Sequence, residues 1–230
     1  LMAEEKEMGV LLVDIGAGHT DVSVYKNSKL EFYTTIPVGG DHITSDIALT
    51  FNISTDEAEK LKRQYNLAIQ AMITNNHDVK LTTKMSDDSD SIIKCSDIVQ
   101  VIEARVKEIY QIIKSIMQEN NLFNRLDCMV ITGQGISNIV GAEELAMLIL
   151  KINQVRICSP KLINIIKPQH TTVFGMVRYI ATLGNNKHVN SDVEIIEEKG
   201  FKAKVFDSLK NFKGIFKGII KKNKDRDNEE

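Results

Sequence analysis

Asp14 closes a hydrophobic run, and Gly16, Ala17, Gly18 and His19 follow it in "VDIGAGHTDVSVY". A carboxylate at a strand end can hold Mg2+ through water, and the metal bridges phosphate oxygens. Glycines in the turn let backbone N–H groups approach an anion with no Cβ in the way. The chemistry on offer is phosphate and metal binding; no catalytic residue is singled out. A second glycine turn, Gly133-Gln134-Gly135, sits in "VITGQGISNIVG". Between them, "EAEKLKRQYNLA" spaces Glu59, Lys62 and Arg63 at i, i+3 and i+4 on adjoining parts of one helix face. From spacing alone, Glu59 and Lys62 also read as an ion pair on a solvent-exposed helix.

The elements around these residues decide what the first turn is. Val10 to Ile15 is almost continuously apolar, as a central strand buried on both faces would be. Val22 and Val24 then alternate with Asp21 and Ser23, so the glycine turn leads into a second strand. That excludes the dinucleotide fingerprint and the Walker loop, both of which need a helix N-terminus. Asn27-Ser28-Lys29 is a hairpin turn, and Leu30 to Ile36 a third strand. The chain thus opens on a three-strand antiparallel meander.

Farther on, Gly39-Gly40 ends a strand, and Asp41 is expected to cap a helix carrying Ile43, Ile47 and Ala48. Ser54 with Glu57 predicts a capping box for a second helix, Thr55 to Ala68. Residues 73–93 read as a small sheet whose turn contains Asp87-Asp88-Ser89-Asp90. This cluster lacks the glycine and bidentate glutamate spacing of a calcium loop and reads as a solvated turn. Ser96 is expected to cap a long amphipathic helix, with Ile98, Val101, Ile102, Ile109, Ile112, Ile113, Ile116 and Met117 on one face. A strand over Asp127–Thr132, a helix after the second glycine turn, a strand over Val155–Cys158 and a helix over His170–Leu183 complete an α/β pattern.

Composition narrows the function classes. Hydrophobic and charged fractions of 43% and 26% are those of an ordinary soluble protein, and a net charge of −2 speaks against a general nucleic-acid binder. Cys95, Cys128 and Cys158 are odd in number and widely spaced, which excludes a disulfide framework or structural zinc site and fits a reducing cytosol. The five histidines show no metal-ligand spacing. No signal peptide or apolar run of spanning length is present. The chain begins at Leu1, and the expectation is a fragment lacking an N-terminal part.

Three motifs in order carry a resemblance. The strand, "DIGAGHTDVSVY", the third strand and the Gly-Gly helix resemble the second half of the actin-like ATPase (ribonuclease H-like) superfamily. "EAEKLKRQYNLA" resembles the helix that superfamily lays against adenosine, and "VITGQGISNIVG" its adenosine turn. Within it, "IPVGGDHITSDIALTF" followed by "EAEKLK" is similar to the FtsA family of bacterial cell-division proteins, which tether FtsZ filaments to the membrane. The resemblance covers residues 8 to 183. It implies ATP and Mg2+ as cofactors. Asp14 matches the Mg2+-associated carboxylate, Gly16, Ala17, Gly18 and His19 the second phosphate loop, and Glu59, Lys62, Arg63 and Asn66 positions facing ribose and adenine. Gly133 and Gly135 match the adenosine turn, with Gln134 where many relatives have a third glycine.

The resemblance also implies a discontinuous nucleotide-binding core, 1–70 and 126–183, and an insert, 71–125. "SDIVQVIEARVKEIYQIIKSIM" in the insert resembles the segment where the acidic C-terminal tail of FtsZ docks, which makes Lys94, Arg105 and Lys107 candidate contacts, Arg105 foremost. Self-association into filaments, at most a weak ATPase in the full-length family and a peripheral place on the cytoplasmic membrane at the division site complete the implied picture. With the first half of the nucleotide clamp expected in the missing N-terminal part, this chain alone is expected to hydrolyse essentially no ATP. An adaptor for pilus or microcompartment assembly on the same fold is the second reading. A sugar-kinase-like or chaperone enzyme is a third.

One feature stands apart from the resemblance. After a polar linker at 184–200, residues 201–222 read "FKAKVFDSLKNFKGIFKGIIKK", with a polar tail at 223–230. On a helix, Phe201, Val205, Leu209, Phe212, Phe216, Ile219 and Ile220 fall on one side. Seven lysines against Asp207 alone lie on or beside the other, leaving an excess of six positive charges. Bulky apolar residues beside lysine are the pattern of a helix lying in an anionic membrane surface. A pilus-type adaptor would not be expected to carry it.

Overall fold

The computed structural model describes residues 1–82, 91–158, 171–173, 175, 176 and 179. The acidic stretch Asp87–Asp90, the linker 184–200, the amphipathic segment 201–222 and the tail 223–230 lie outside the described residues. So does most of the helix expected over His170–Leu183, whose described residues are helical.

A short helix, α1 (Ala3–Met8), precedes β1 (Val10–Ile15), β2 (Thr20–Lys26) and β3 (Lys29–Ile36). The three strands pair antiparallel, with Asp14 opposite Asp21. Asn27 and Ser28 both take positive φ, 50° and 62°, the two-residue geometry whose twist suits a hairpin. Two helices follow, α2 (Gly40–Phe51) and α3 (Thr55–Gln64), then a small hairpin of β4 (Asp78–Leu81) and β5 (Ser91–Lys94). The long α4 (Cys95–Glu119), then β6 (Cys128–Thr132), α5 (Ala142–Leu150) and β7 (Val155–Ile157) complete the described elements. The large sheet has the order β3-β2-β1-β6-β7, with β6 and β7 parallel to β1. The expected mixed α/β sheet opening on a meander is what the chain forms.

Side-chain alternation gives each face of β1 a different task. Leu11, Val13 and Ile15 join Val22, Val24, Met129 and Ile131 in the main core beneath the helices. Val10 joins Cys128 and Val130 in a second cluster on the opposite face. Asp14 and Thr132, paired across β1 and β6, belong by alternation to that second face. All eight apolar residues expected on one face of α4 are buried, and the main core runs without a break from the sheet through α2, α4 and α5. Cys95, Cys128 and Cys158 are free thiols.

Three helix boundaries and one capping box differ from the sequence expectation. Gly39, not Asp41, is the cap of α2: the Gly40 and Asp41 amides donate to the Gly16 and Ala17 carbonyls at 2.9 and 2.8 Å. The loop after β1 thus supplies the acceptors that a capping side chain would. Helix α3 stops at Gln64, short of Ala68, because Val140 N–H bonds Asn66 O and Ala68 N–H bonds Val140 O, both at 2.8 Å. Ser54 caps α3 through the Glu57 amide, but the Glu57 carboxylate bonds the Thr82 amide at 2.7 Å instead of closing the box. Finally, α4 begins at Cys95 rather than after Ser96, since His77 O and Asn76 Oδ1 accept from the Cys95 and Ser96 amides.

Candidate functional site

Three glycine turns meet at the C-terminal ends of β1 and β6. The turn after β1 is the middle piece: Ile15 O accepts from Gly135 N–H at 2.7 Å, and Gly16 O from Gly40 N–H at 2.9 Å. A Cβ on Gly40 would stand 2.6 Å from Gly135 Cα, and one on Gly39 2.5 Å from Ala17 O. Gly133 has a φ of +88°, and a Cβ there would come within 2.3 Å of Ile15 O. No L side chain satisfies both demands, so these backbones can only approach as glycines. Residues more than a hundred positions apart are brought together in this way.

Gly18 is a different kind of glycine. A Cβ there would meet nothing within 4 Å, and its φ lies outside the left-handed region. Neither packing nor dihedral requires it. Among the described residues, the exposed amides of Ala17 and Gly18 donate to no backbone carbonyl. Adjacent free N–H groups beside open space are what an anion needs.

Asp14 lies beside this turn. Its Oδ1 is one of the atoms a Cβ on Gly133 would strike, at 2.5 Å, and its Oδ2 accepts from Thr172 Oγ1–H at 2.9 Å. The hydroxyl of Thr132, at the paired position on β6, is buried with no hydrogen-bond partner among the described residues. His19 projects outward, 61% exposed, with Nε2 3.6 Å from Asp21 Oδ2. Tyr33 and Thr35 donate to the other Asp21 oxygen at 2.9 and 2.6 Å, holding Asp21 against the solvent side of the meander.

The polar cluster on α3 faces the start of α2. Lys62 Nζ donates to Gly40 O at 3.2 Å and Thr44 Oγ1 at 2.8 Å and pairs with Glu59 at 2.5 Å. Thr44 Oγ1–H donates to Glu59 Oε2 at 2.5 Å, and Arg63 Nε to Glu59 Oε1 at 2.9 Å. Burial raises the Glu59 pKa, but the hydrogen bonds from Lys62, Thr44 and Arg63 outweigh it and hold the carboxyl below its ordinary range. Lys62 is largely buried, whereas Arg63 is 78% exposed. Asn66 lies beyond the helix; its Nδ2 donates to Asn138 O at 2.8 Å, tying the end of α3 to the second glycine turn. Gln134 is the exposed residue of that turn, between the half-buried Gly133 and the buried Gly135.

The sequence reading missed three residues here. Thr44 joins Glu59 to Lys62, yet it sits among the apolar spacings of α2 with no signal of its own. Thr132 reads as the last residue of a buried strand. Thr172 reaches Asp14 from 158 residues away, beyond any local pattern.

The expected docking residues are not alike. Lys107 is exposed on α4, and the exposed Lys94 pairs with Asp78. Arg105 requires correction: it is 5% exposed, and its guanidinium bonds both Asp46 oxygens, at 2.6 and 2.8 Å, and Glu108 Oε2 at 2.5 Å. A side chain so enclosed cannot meet an incoming peptide. It joins α4 to α2 instead. Burial pushes the Asp46 and Glu108 carboxyls upward, only partly offset by Arg105.

Among the described residues no helix is long and apolar enough to cross a membrane, and no cluster of three or more His, Cys, Asp or Glu could hold a metal unaided. The site offers one carboxylate and a row of amides, which suits a metal already carried by a phosphate ligand better than a bare ion.

Solved structures share this architecture. MreB5 of Spiroplasma citri bound to ADP aligns with a TM-score of 0.64 at 17% identity, covering 81% of this chain and 57% of that one. The same protein bound to AMPPNP gives 0.62. A PilM–PilN type IV pilus biogenesis complex gives 0.51 at 21% identity, over 69% of this chain and 38% of that one. The fold is therefore actin-like. Sequence relatives are closer. The cell division protein FtsA of Bacillus subtilis is 32% identical over 179 residues, 78% of this chain and 40% of that protein. That of Staphylococcus epidermidis is 31% identical over 177 residues, 77% of this chain and 38% of its own length. The chain spans about two fifths of the length of these relatives. The sequence profile of the cell division protein FtsA matches residues 11–175, through all three glycine turns and the α3 cluster, and the chain belongs to that family.

Proposed function

We propose that this chain is the nucleotide-holding half of an ATP-associated division protein that anchors FtsZ filaments to the cytoplasmic membrane. The observation that carries the nucleotide reading is the convergence of three glycine turns beside Asp14, with the Ala17 and Gly18 amides free. Those amides would receive phosphate oxygens, and Asp14 would hold Mg2+ through water. Glu59, Lys62 and Arg63, with the Gly133–Gly135 turn, would line the nucleoside side; Asn66 would support that turn rather than touch the ligand. A bound Mg2+ would neutralise phosphate charge. That related folds are seen with ADP and AMPPNP supports the reading.

Clamping a transferred phosphoryl group needs donors converging from all sides and exclusion of water. The described residues supply donors from one side. Calorimetry on the full chain is expected to show weak Mg-ATP binding and negligible hydrolysis. Micromolar affinity would overturn the half-site reading.

The insert is the proposed docking place for the acidic FtsZ tail, with Lys94 and Lys107 as its exposed cations. Filament formation and a peripheral membrane position through residues 201–222 belong to the same proposal.

A further inference from the structure

Asp14 is gripped from two directions. Gly133 lies so close to Oδ1 that a Cβ would reach 2.5 Å, and Thr172 Oγ1–H donates to Oδ2 at 2.9 Å. The first contact comes from the turn after β6, the second from the helical residues 171–173. An aspartate side chain has two soft torsions, and an exposed carboxylate samples several rotamers. A donor on Oδ2, with the Gly133 backbone close to Oδ1, narrows the settings open to Asp14. Nothing in the local sequence around Asp14 does this, because its immediate neighbours Val13 and Ile15 are buried in the core on the other face of the sheet.

We propose that Thr172 is a positioning residue for the metal-associated carboxylate: its hydroxyl fixes Asp14 in the orientation that meets the Mg2+ of an arriving nucleotide. The role rests on the nucleotide reading above. Outer partners that orient a metal-associated group contribute strongly to metal affinity without touching the metal. The Thr172 contact is exposed and reaches Asp14 from a distant part of the chain. It therefore acts on Asp14 geometry rather than on the packing of the core. The Thr171 hydroxyl beside it is buried and has no hydrogen-bond partner among the described residues.

The test compares ADP binding by the full chain in excess Mg2+ and in EDTA, followed by NMR titration so that weak affinities are measurable. The ratio of the two dissociation constants is the metal-dependent gain. Thr172→Val removes the hydroxyl at nearly constant shape and is expected to cut that gain by about tenfold, leaving metal-free affinity unchanged. Thr172→Ser keeps the donor and should retain the gain. Thr172→Ala serves as a second hydroxyl-free variant, and melting temperatures should agree across the set. An unchanged gain in Thr172→Val overturns the role of Thr172 and leaves the nucleotide reading standing. Equal losses with and without Mg2+ also overturn it, since they mark packing rather than carboxylate orientation. If the wild-type chain does not respond to ADP under either condition, the nucleotide reading falls, and this role with it.

Discussion

Glu59 shows how a residue can look ordinary in sequence and be unusual in the fold. Its spacing to Lys62 and Arg63 is that of any surface ion pair, worth only a few tenths of a kcal/mol. Two facts change its standing. Lys62 is turned inward onto Gly40 O, and Thr44 donates to the same carboxylate from α2. The pH consequence follows from the lowered pKa. Between the folded and unfolded pKa values the unfolded state binds more protons, so this part of the stability is present above the ordinary value of 4.5 and lost as pH falls through the folded one. Glu59→Gln is therefore expected to flatten the acid limb of the urea midpoint against pH, below about pH 5. Glu5, held low by Arg156 despite its burial, will keep part of the slope. An acid limb identical to that of the wild type would show that the Lys62, Thr44 and Arg63 contacts do not hold the Glu59 charge in solution.

At the scale of elements, helix α4 separates what periodicity reveals from what it hides. Its apolar stripe was legible because burial repeats with the helical turn, and every residue of that stripe is inside. Arg105 lies next to the stripe and was read as an exposed cation. Its partner Asp46 is 59 residues away on α2, and only the packing of one helix on the other brings them together. The boundary differences have the same origin. The ends of α2, α3 and α4 are set by acceptors and donors on other elements, which a local capping rule does not contain. The glycine turns, by contrast, were legible as motifs: Gly39, Gly40, Gly133 and Gly135 stand where a Cβ would strike a neighbouring backbone, and Gly18 stands where the turn is left open. Removing Arg105 would leave two buried carboxylates facing each other, so Arg105→Met is expected to destabilise the fold by about 3–5 kcal/mol. Lys107→Glu should leave the melting temperature unchanged and weaken binding of an acidic FtsZ tail peptide. Denaturant unfolding and peptide anisotropy separate the two. A stable Arg105→Met protein that has lost only peptide binding would return Arg105 to the docking surface.

For the molecule as a whole, the proposed nucleotide site and the proposed membrane segment make separable demands. The site is assembled from turns that meet at the ends of β1 and β6, so it needs the sheet. Residues 201–222 need only their own sequence: an apolar face, a lysine-rich face and a polar linker long enough to part them from the core. Near an anionic leaflet each lysine would contribute about 1 kcal/mol, a term that salt screens, while insertion of Phe212, Phe216 and their neighbours would not depend on salt. Neither term alone would give firm attachment, so a change to either should be visible. Replacing both Phe212 and Phe216 by Glu removes apolar area and adds two negative charges to the apolar face of the sequence pattern. The variant is expected to stay in the supernatant when anionic liposomes are sedimented, with the same melting temperature and ADP response as the wild type. Raising salt should loosen the wild-type protein only in part. Co-sedimentation that survives the double substitution would place the membrane contact elsewhere on the chain. Release accompanied by loss of folding would mean that the segment packs on the core instead.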